Sequence, residues 1–329
     1  MMEKKLLGST LSDVAISDID LRPGPFSMSF GFDLEPLKAS IGRFGVLNSP
    51  YLLKGPDRKF IVVAGYRRLL AARELGWPDT ACQIVPDTFP PFEALLLNLN
   101  DNLTHRQLNT IEKAMVLKRL TRYLKGEEII KNFMSILGIP ANRQTLEVFL
   151  GLEELEETIR VSLAAERLSL RVAGLMTGIG RDDRLRINDL FTTIKWSFNQ
   201  QWEAAQMLIE IASREGRSIK ELIDEKEIME VLGNDRMNNP QKVKSVVKIL
   251  KARRLPSLLE AEKLFKRGLA RVSLPLGVRI IPPPFFEGID YKLEIVFRKG
   301  QELREKLAVL SHLSGLEMVT DFWRGMEPR

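Results

Sequence analysis

The chain has 329 residues, enough for two or three domains, and its 44% hydrophobic and 28% charged content is that of an ordinary globular protein. A single cysteine, Cys82, and two histidines, His105 and His312, exclude an intramolecular disulfide and a Cys/His-rich metal site. The net charge of +6 is concentrated late: residues 241–329 carry 18 Lys+Arg against 10 Asp+Glu, so a polyanionic partner such as nucleic acid is one reading and a merely solvated basic surface the other.

The first hundred residues mix strands and helices. Val14-Ala15-Ile16 reads as a short strand, followed by a turn-rich stretch with Pro23, Gly24 and Pro25. Leu34, Leu37, Ile41 and Phe44 recur at helical spacing, and Gly45 closes that helix. Pro50–Leu53 and Phe60–Val63 flank Gly55-Pro56-Asp57-Arg58 as a strand-turn-strand unit. The run Val62-Val63-Ala64-Gly65-Tyr66-Arg67-Arg68 then passes from an apolar strand through a glycine into a helix. Free N–H groups and the dipole at a helix start attract anions, whereas arginines in the first turn oppose that dipole unless an anion is present. Gly65 to Arg68 is therefore a candidate phosphate-binding corner; a solvated arginine pair is the plainer alternative. Cys82–Val85 is a further strand and Phe92–Leu99 a further helix.

From about residue 107 to 232 the pattern is helical. Asn109 with Glu112 forms a capping-box start. Glu127–Leu137, the turn Gly138-Ile139-Pro140 and Ala141–Leu150 read as helix, turn, helix, a spacing shared by DNA-binding units and by ordinary packed helix pairs. Asn142, Arg143, Gln144 and Thr145, near the start of the second helix, are residue types that read base edges or hold phosphates. Gly233–Pro240 is polar and turn-rich and reads as a linker. Beyond it, Lys244, Lys248 and Lys251 share a helix face, either facing phosphates or simply solvated. Val278–Ile281 and Tyr291–Phe297 read as strands, the second half-buried, and Gln301–Ser314 as an amphipathic helix. No apolar run nears the ~18 residues that span a bilayer, and Met1–Leu7 lacks the apolar core of a signal peptide; a cytoplasmic location without membrane contact is expected.

The order of these segments resembles the ParB family of chromosome and plasmid partition proteins. Ile16-Ser17-Asp18-Ile19 with Pro23 is similar to the family's opening segment. Leu34–Ile41 and Gly45-Val46-Leu47-Asn48-Ser49-Pro50 are similar to its first helix and following turn. Ala64-Gly65-Tyr66-Arg67-Arg68 matches "A-G-E-R-R", and Asp101-Asn102-Leu103 through Leu108–Glu112 matches "E-N-L-Q-R-x-x-L-N-P-I-E". Arg167-Leu168-Ser169 is similar to the "K-L-S" after the helix-turn-helix. Ala204–Leu222, with Gly216-Arg217-Ser218-Ile219, is similar to the helix pair beyond. The resemblance runs collinearly over about residues 14–225.

It implies an α+β fold: a ParB/sulfiredoxin-like N-terminal domain (1–106) and an all-helical helix-turn-helix domain (107–232). A linker with a basic helix (233–256) and a small α+β C-terminal domain (257–329) that dimerises complete the expectation. It implies binding of CTP with Mg²⁺ and of double-stranded DNA, a homodimer that clamps DNA, a ParA-type ATPase partner and nucleoid association. Carried over by position, Gly45, Ser49, Gly65, Tyr66, Arg67 and Arg68 bind nucleotide, Asn102 holds Mg²⁺ and Asp101 stands at the hydrolytic position. Asn142, Arg143, Gln144, Thr145 and Arg171 meet DNA, as do Lys244, Lys248 and Lys251. Three departures bear on hydrolysis: Tyr66 and Asp101 each replace a glutamate, and His105 replaces an arginine. Leu170-Arg171-Val172-Ala173 lacks the family's "G-H", so the standard centromere sequence is not the expected target. Two rivals stay open: a nucleotide-independent ParB-like transcriptional regulator, and a small-molecule kinase on the same N-terminal fold. Sulfiredoxin chemistry needs a cysteine at the corner, and Cys82 lies on a later strand.

Overall fold

A computed structural model of the chain describes residues 8–55, 57, 59–286 and 290–313. The chain forms two compact units, one built from residues up to 205 together with 218–224, the other from 206–217 and from 225 onward.

The first unit begins with β1 (Thr10–Ala15), a 3-10 turn and β2 (Ile19–Asp20), then α1 (Glu35–Phe44), β3 (Tyr51–Lys54) and β4 (Phe60–Ala64). It continues with α2 (Tyr66–Glu74), β5 (Asp79–Ile84) and α3 (Pro91–His105). The five strands form one mixed sheet in the order β1-β5-β3-β4-β2. β1/β5 and β3/β4 are antiparallel; β5/β3 and β4/β2 are parallel. The expected strand-turn-strand unit is the β3–β4 pair, closed by Gly55 N–H donating to Lys59 O at 2.8 Å; Pro56 and Arg58 of that turn lie outside the described residues. Val62, Val63 and Ala64 are successive buried residues, because β4 is covered on both faces. Val14, Ile19, Leu52, Val62, Leu69 and Cys82 form the core on one face.

Helices follow without interruption by strands: α4 (Thr110–Leu120), α5 (Gly126–Ile129), α6 (Arg143–Leu152), α7 (Glu157–Ala164), α8 (Leu170–Met176), α9 (Arg181–Thr193), α10 (Phe198–Glu215) and α11 (Ile219–Ile223). The Asn109/Glu112 capping box is present in full at the start of α4. The helix expected over Glu127–Leu137 is instead one α-turn, α5, running into a π turn at Ile130–Met134. The wider turn still buries Ile129, Met134 and Leu137. Gly138 at φ +66° ends the segment, and Asn142 caps α6 by accepting from Thr145 N–H at 2.8 Å.

Gln201 of α10 is fully buried and was not anticipated. Its amide accepts from Ser169 N–H at 2.9 Å and donates to Arg167 O at 2.8 Å, pinning the Arg167–Ser169 turn. Ser169 in turn caps α8.

The second unit contains α12 (Lys226–Leu232), α13 (Asn239–Arg254), α14 (Pro256–Ala270), β6 (Val278–Ile281), β7 (Lys292–Ile295) and α15 (Gly300–Ser311). The polar stretch read as a linker is a tight connection: α12 packs on α13, Asn238 and Gln241 make a capping box, and Lys242 Nζ donates to Leu232 O at 2.7 Å. β6 and β7 pair antiparallel, Val278 opposite Ile295. The second strand is shorter than the expected Tyr291–Phe297 and is covered only in part: Tyr291 and Ile295 are half-buried, whereas Leu293 and Phe297 are exposed. Ser314, the expected end of the last helix, lies outside the described residues. A small core of Ala261, Phe265, Val272 and Phe286 holds α14 against the turn after β6. Among the described residues, no helix is long and apolar enough to cross a membrane.

Replacing Gln201 by Leu leaves the Ser169 N–H buried without a partner and removes the donor to Arg167 O. Chemical unfolding is expected to show a loss of about 1–3 kcal/mol.

Candidate functional site

Gly65 ends β4 and caps α2 at φ +88°, ψ +19°, a left-handed conformation that disfavours any side chain. A Cβ there would sit 2.8 Å from Pro50 Cβ and 3.2 Å from Arg68 Nε. Glycine is therefore required twice, by backbone angle and by the approach of the preceding loop. Gly45, which caps the C-terminal end of α1, has φ +79° and ψ −177°, also glycine territory.

Between these two glycines lies a cavity of about 360 Å³. Its walls come from Ser29 and Asp33, one face of α1 from Pro36 to Ile41, the Gly45–Asn48 loop, the first turn of α2, and the second half of α3 with Arg106. Gly45, Gly65, Tyr66, Arg67, Arg68, Asp101 and Asn102 are all in these walls. Ser49 is not among the lining residues.

The arginines at the corner already face anions. Arg67 bonds Glu112, donates through Nε to Ser29 Oγ at 3.2 Å, and lies 4.4 Å over the Phe32 ring. Glu112 is 1% exposed and accepts four hydrogen bonds: from Arg67, from Arg106, from Phe30 N–H at 3.2 Å and from Asn109 N–H at 3.0 Å. Burial and the nearby Arg106 push the Arg67 guanidinium below its ordinary range, against the pull of Glu112. Arg68 bonds Asp101 and donates to Asn48 O at 2.6 Å. The electrostatic demand read from the sequence, two arginines opposing a helix dipole, is thus met by two internal carboxylates.

Along α3 a chain of hydrogen bonds runs at four-residue spacing. Asn98, itself buried, donates to Val63 O; Asn102 Nδ2 donates to Asn98 Oδ1 at 2.7 Å; Arg106 Nε donates to Asn102 Oδ1 at 2.8 Å. Arg106 then reaches Glu112 and Met28 O, the latter at 3.1 Å. Asn98, Arg106 and Glu112 were not singled out as site residues; the i, i+4 repeat of Asn98, Asn102 and Arg106 was the available signal. Tyr66 lines the cavity, but its hydroxyl donates to Leu21 O at 3.2 Å and its ring meets Phe32 edge-on. The residue that replaces a glutamate in the family pattern is thereby tied into the core. His105 sits near Asp101, Nδ1 to Oδ1 3.8 Å, and its Nε2 is 3.3 Å from Asn48 Nδ2.

The candidate DNA-contacting residues fall in two places. Asn142, Arg143 and Gln144 are exposed at the α6 N-terminus, although the Asn142 carbonyl is engaged in the cap and Arg143 pairs with Glu147 at 3.0 Å. Thr145 is half-buried. Arg171 is exposed on α8 and its guanidinium stacks 4.1 Å over Trp202. Lys244, Lys248 and Lys251 are exposed along α13, on the side away from buried Val243, Val246 and Leu250.

No family model matches the chain. The nucleoid occlusion protein of Bacillus cereus strain AH187 is 25% identical over 171 residues, covering 47% of this chain and 58% of the relative. The nucleoid occlusion proteins of Bacillus anthracis and Bacillus mycoides strain KBAB4 give the same identity and coverage. Over that stretch the chain is similar to these nucleoid occlusion proteins. It spans just under three-fifths of the length of these curated relatives. Two structures of C-terminally truncated chromosome-partitioning protein ParB from Caulobacter crescentus also align. The one complexed with CTP-gamma-S is 21% identical, covering 56% of this chain and 99% of that one, with a TM-score of 0.27. The one complexed to the centromeric parS site is 19% identical, covering 59% and 98%, with a TM-score of 0.34.

Glu112→Gln removes the buried charge that two half-buried arginines share. Unfolding measurements are expected to show a loss of about 3–5 kcal/mol, the range for breaking a buried ion pair from one side.

Proposed function

We propose that this protein is a ParB-type DNA-binding protein whose Gly65 corner takes a nucleoside triphosphate and whose helical region engages double-stranded DNA. The observation that carries the reading is the Gly65 cradle itself: a left-handed glycine against Pro50, opening the first turn of α2 and three arginines onto one cavity. A cavity of about 360 Å³ is in the range of small-molecule sites. Similarity to nucleoid occlusion proteins supports the DNA-binding part and nucleoid association. Cytidine is the nucleoside implied by the sequence resemblance.

The residues fit a Mg²⁺ that arrives on the phosphates. Among the described residues no group of three or more His, Cys, Asp and Glu could enclose a metal. Mg²⁺, however, usually takes one or two carboxylates and completes its shell with phosphate oxygens and water. Asp101 supplies such a carboxylate, and Asn102 lies beside it with its amide oxygen accepting from Arg106. When bound, the ion would neutralise phosphate charge. The chain's own contribution is the N–H groups of the α2 first turn, Arg68 at their side, and exclusion of water by the Gly45–Asn48 loop. With Tyr66 turned into the core and Asp101 paired to Arg68, binding is the better supported half of a nucleotide switch, and weak CTPase activity is the half to be measured.

Exposed Arg143, Gln144 and Arg171 are the candidates for contact with DNA in the first unit, and the α13 lysines in the second. A homodimer is supported by apolar residues left exposed around the β6–β7 hairpin and α15: Leu276 at 95%, with Leu293, Val296, Phe297, Leu307 and Val309. A ParA-type ATPase partner remains part of the proposal through the resemblance alone.

Nucleotide titration calorimetry on the purified chain tests the corner. Replacing Arg67 and Arg68 together by Ala is expected to lower triphosphate affinity about tenfold or more; R68A alone does so without disturbing Glu112. Unchanged affinity would remove the site. Retention of DNA from a randomised pool, then sequencing, tests the second half. Converting Lys244, Lys248 and Lys251 to Gln is expected to flatten the salt dependence of DNA binding by about 2–3 in log–log slope. An unaltered slope would show that these lysines are only solvated.

A further inference from the structure

We propose that Asp101 is an internal competitor for Arg68, so that the corner rejects single low-charge anions and admits a polyphosphate together with a compensating cation. The inference rests on the nucleotide reading of the corner and specifies its selectivity.

Three arginines line the cavity, and only one is exchangeable. Arg67 and Arg106 are committed to Glu112, which lies behind the wall and is itself buried. Arg68 is committed to Asp101, and Asp101 lines the same cavity. The Arg68 Nε stands over the Gly65 backbone, at 3.2 Å from where a Cβ would be. The guanidinium therefore flanks the face of the corner that a phosphate must approach. Its two terminal nitrogens are occupied, one by Asp101 and one by the Asn48 carbonyl. An incoming phosphate therefore competes with both of them for the same guanidinium.

The displaced group cannot simply be left. The Asp101 side chain is 15% exposed and that of Arg68 16%, so neither is fully rehydrated when the pair opens. A freed Asp101 carboxylate would face the phosphates at short range, with His105 beside it, Nδ1 3.8 Å from Oδ1. Asp33 adds a second negative charge to the wall. Asp33, Asp101 and Glu112 together match Arg67, Arg68 and Arg106 in number, so these side chains offer no surplus positive charge. Like charges brought together in a partly buried site disfavour binding strongly. A divalent cation arriving with the polyphosphate relieves both problems, pairing with Asp101 while Arg68 turns to phosphate. Polyphosphate and cation then raise one another's affinity by the same factor, as linkage requires.

A purely scaffolding role for the pair makes the opposite prediction, since loss of Asp101 would then loosen the corner and weaken binding. Calorimetry on the full chain distinguishes them, with pyrophosphate and CTP as probes, in EDTA and in excess MgCl₂. The wild type is expected to bind both probes about tenfold or more tightly with Mg²⁺. Asp101→Asn is expected to gain about tenfold in Mg²⁺-free affinity and to lose most of the Mg²⁺ response. Asp101→Ala, which adds no amide, should change in the same direction, and the gain should vanish when Arg68→Ala is combined with either. Mg²⁺-free affinity that is unchanged or weaker in both Asp101 variants, at a wild-type melting temperature, overturns the inference while leaving the nucleotide site standing. Failure of the wild type and every variant to bind either probe overturns both.

Discussion

The carboxylate of Glu112 is the constraint on which the first unit is organised. It is a buried charge, and a buried charge persists only when it is paired and fully hydrogen-bonded. Its four donors come from four stretches of chain: the segment before α1, the first turn of α2, the residue that ends α3, and the residue that caps α4. A side chain that closes a capping box thus also fixes where the sheet, the cavity wall and the first helix of the helical region meet. Around it, the 25–32 segment is fastened on both sides. Arg119 donates to Pro25 O, Asn109 to Phe30 O and Arg106 to Met28 O, while Arg67 holds Ser29 and lies on Phe32. Gly31 at φ +59° passes so close to α7 that a Cβ would lie 2.9 Å from that of Ala164.

This arrangement changes how the glycine–arginine corner is understood. Two arginines at a helix start signal that negative charge is nearby, and it is. Part of that charge is structural, supplied by Glu112, and part lies in the cavity wall, supplied by Asp101. The corner combines a fixed ion-pair framework with one pair that faces the open space. The departures from the family pattern fall at the same place. Tyr66 uses its hydroxyl and ring to tie α2 to Leu21 and Phe32, where a glutamate would have added a further negative charge.

Much of this was readable in the sequence, and the rest was not for identifiable reasons. The strand–glycine–helix corner, the β3–β4 pair and the Asn109/Glu112 cap depend on neighbours within a few residues, and each stands where the pattern put it. The partner of Arg67 lies 45 residues away, and the contact of Gly65 with Pro50 depends on how a loop folds back. Neither leaves a periodic trace. Ser49 fails to join the cavity although it is next to Asn48, which bonds Arg68. In the helical region, periodicity reported that residues 127–137 were helical in character. It could not report that burying Ile129, Met134 and Leu137 together takes a π turn. In the hairpin of the second unit, alternation of apolar residues was real, but only part of that side is covered: Tyr291 packs on the Phe265 core, while Leu293 and Phe297 are exposed.

The ends of the five-stranded sheet carry a consequence for assembly. Its outer strands are β1 and β2. β2 is two residues long and ends on Asp20, whose carboxylate is gripped by Arg22 through a bond at 2.7 Å. β1 presents Thr10, Leu11, Ser12 and Asp13 along an exposed, mostly polar margin. A short, charged border on one side and a polar one on the other make poor templates for a visiting strand. Both edges of the sheet therefore offer little for a further strand to pair with, and the unit's remaining contacts are left to its side chains and helices.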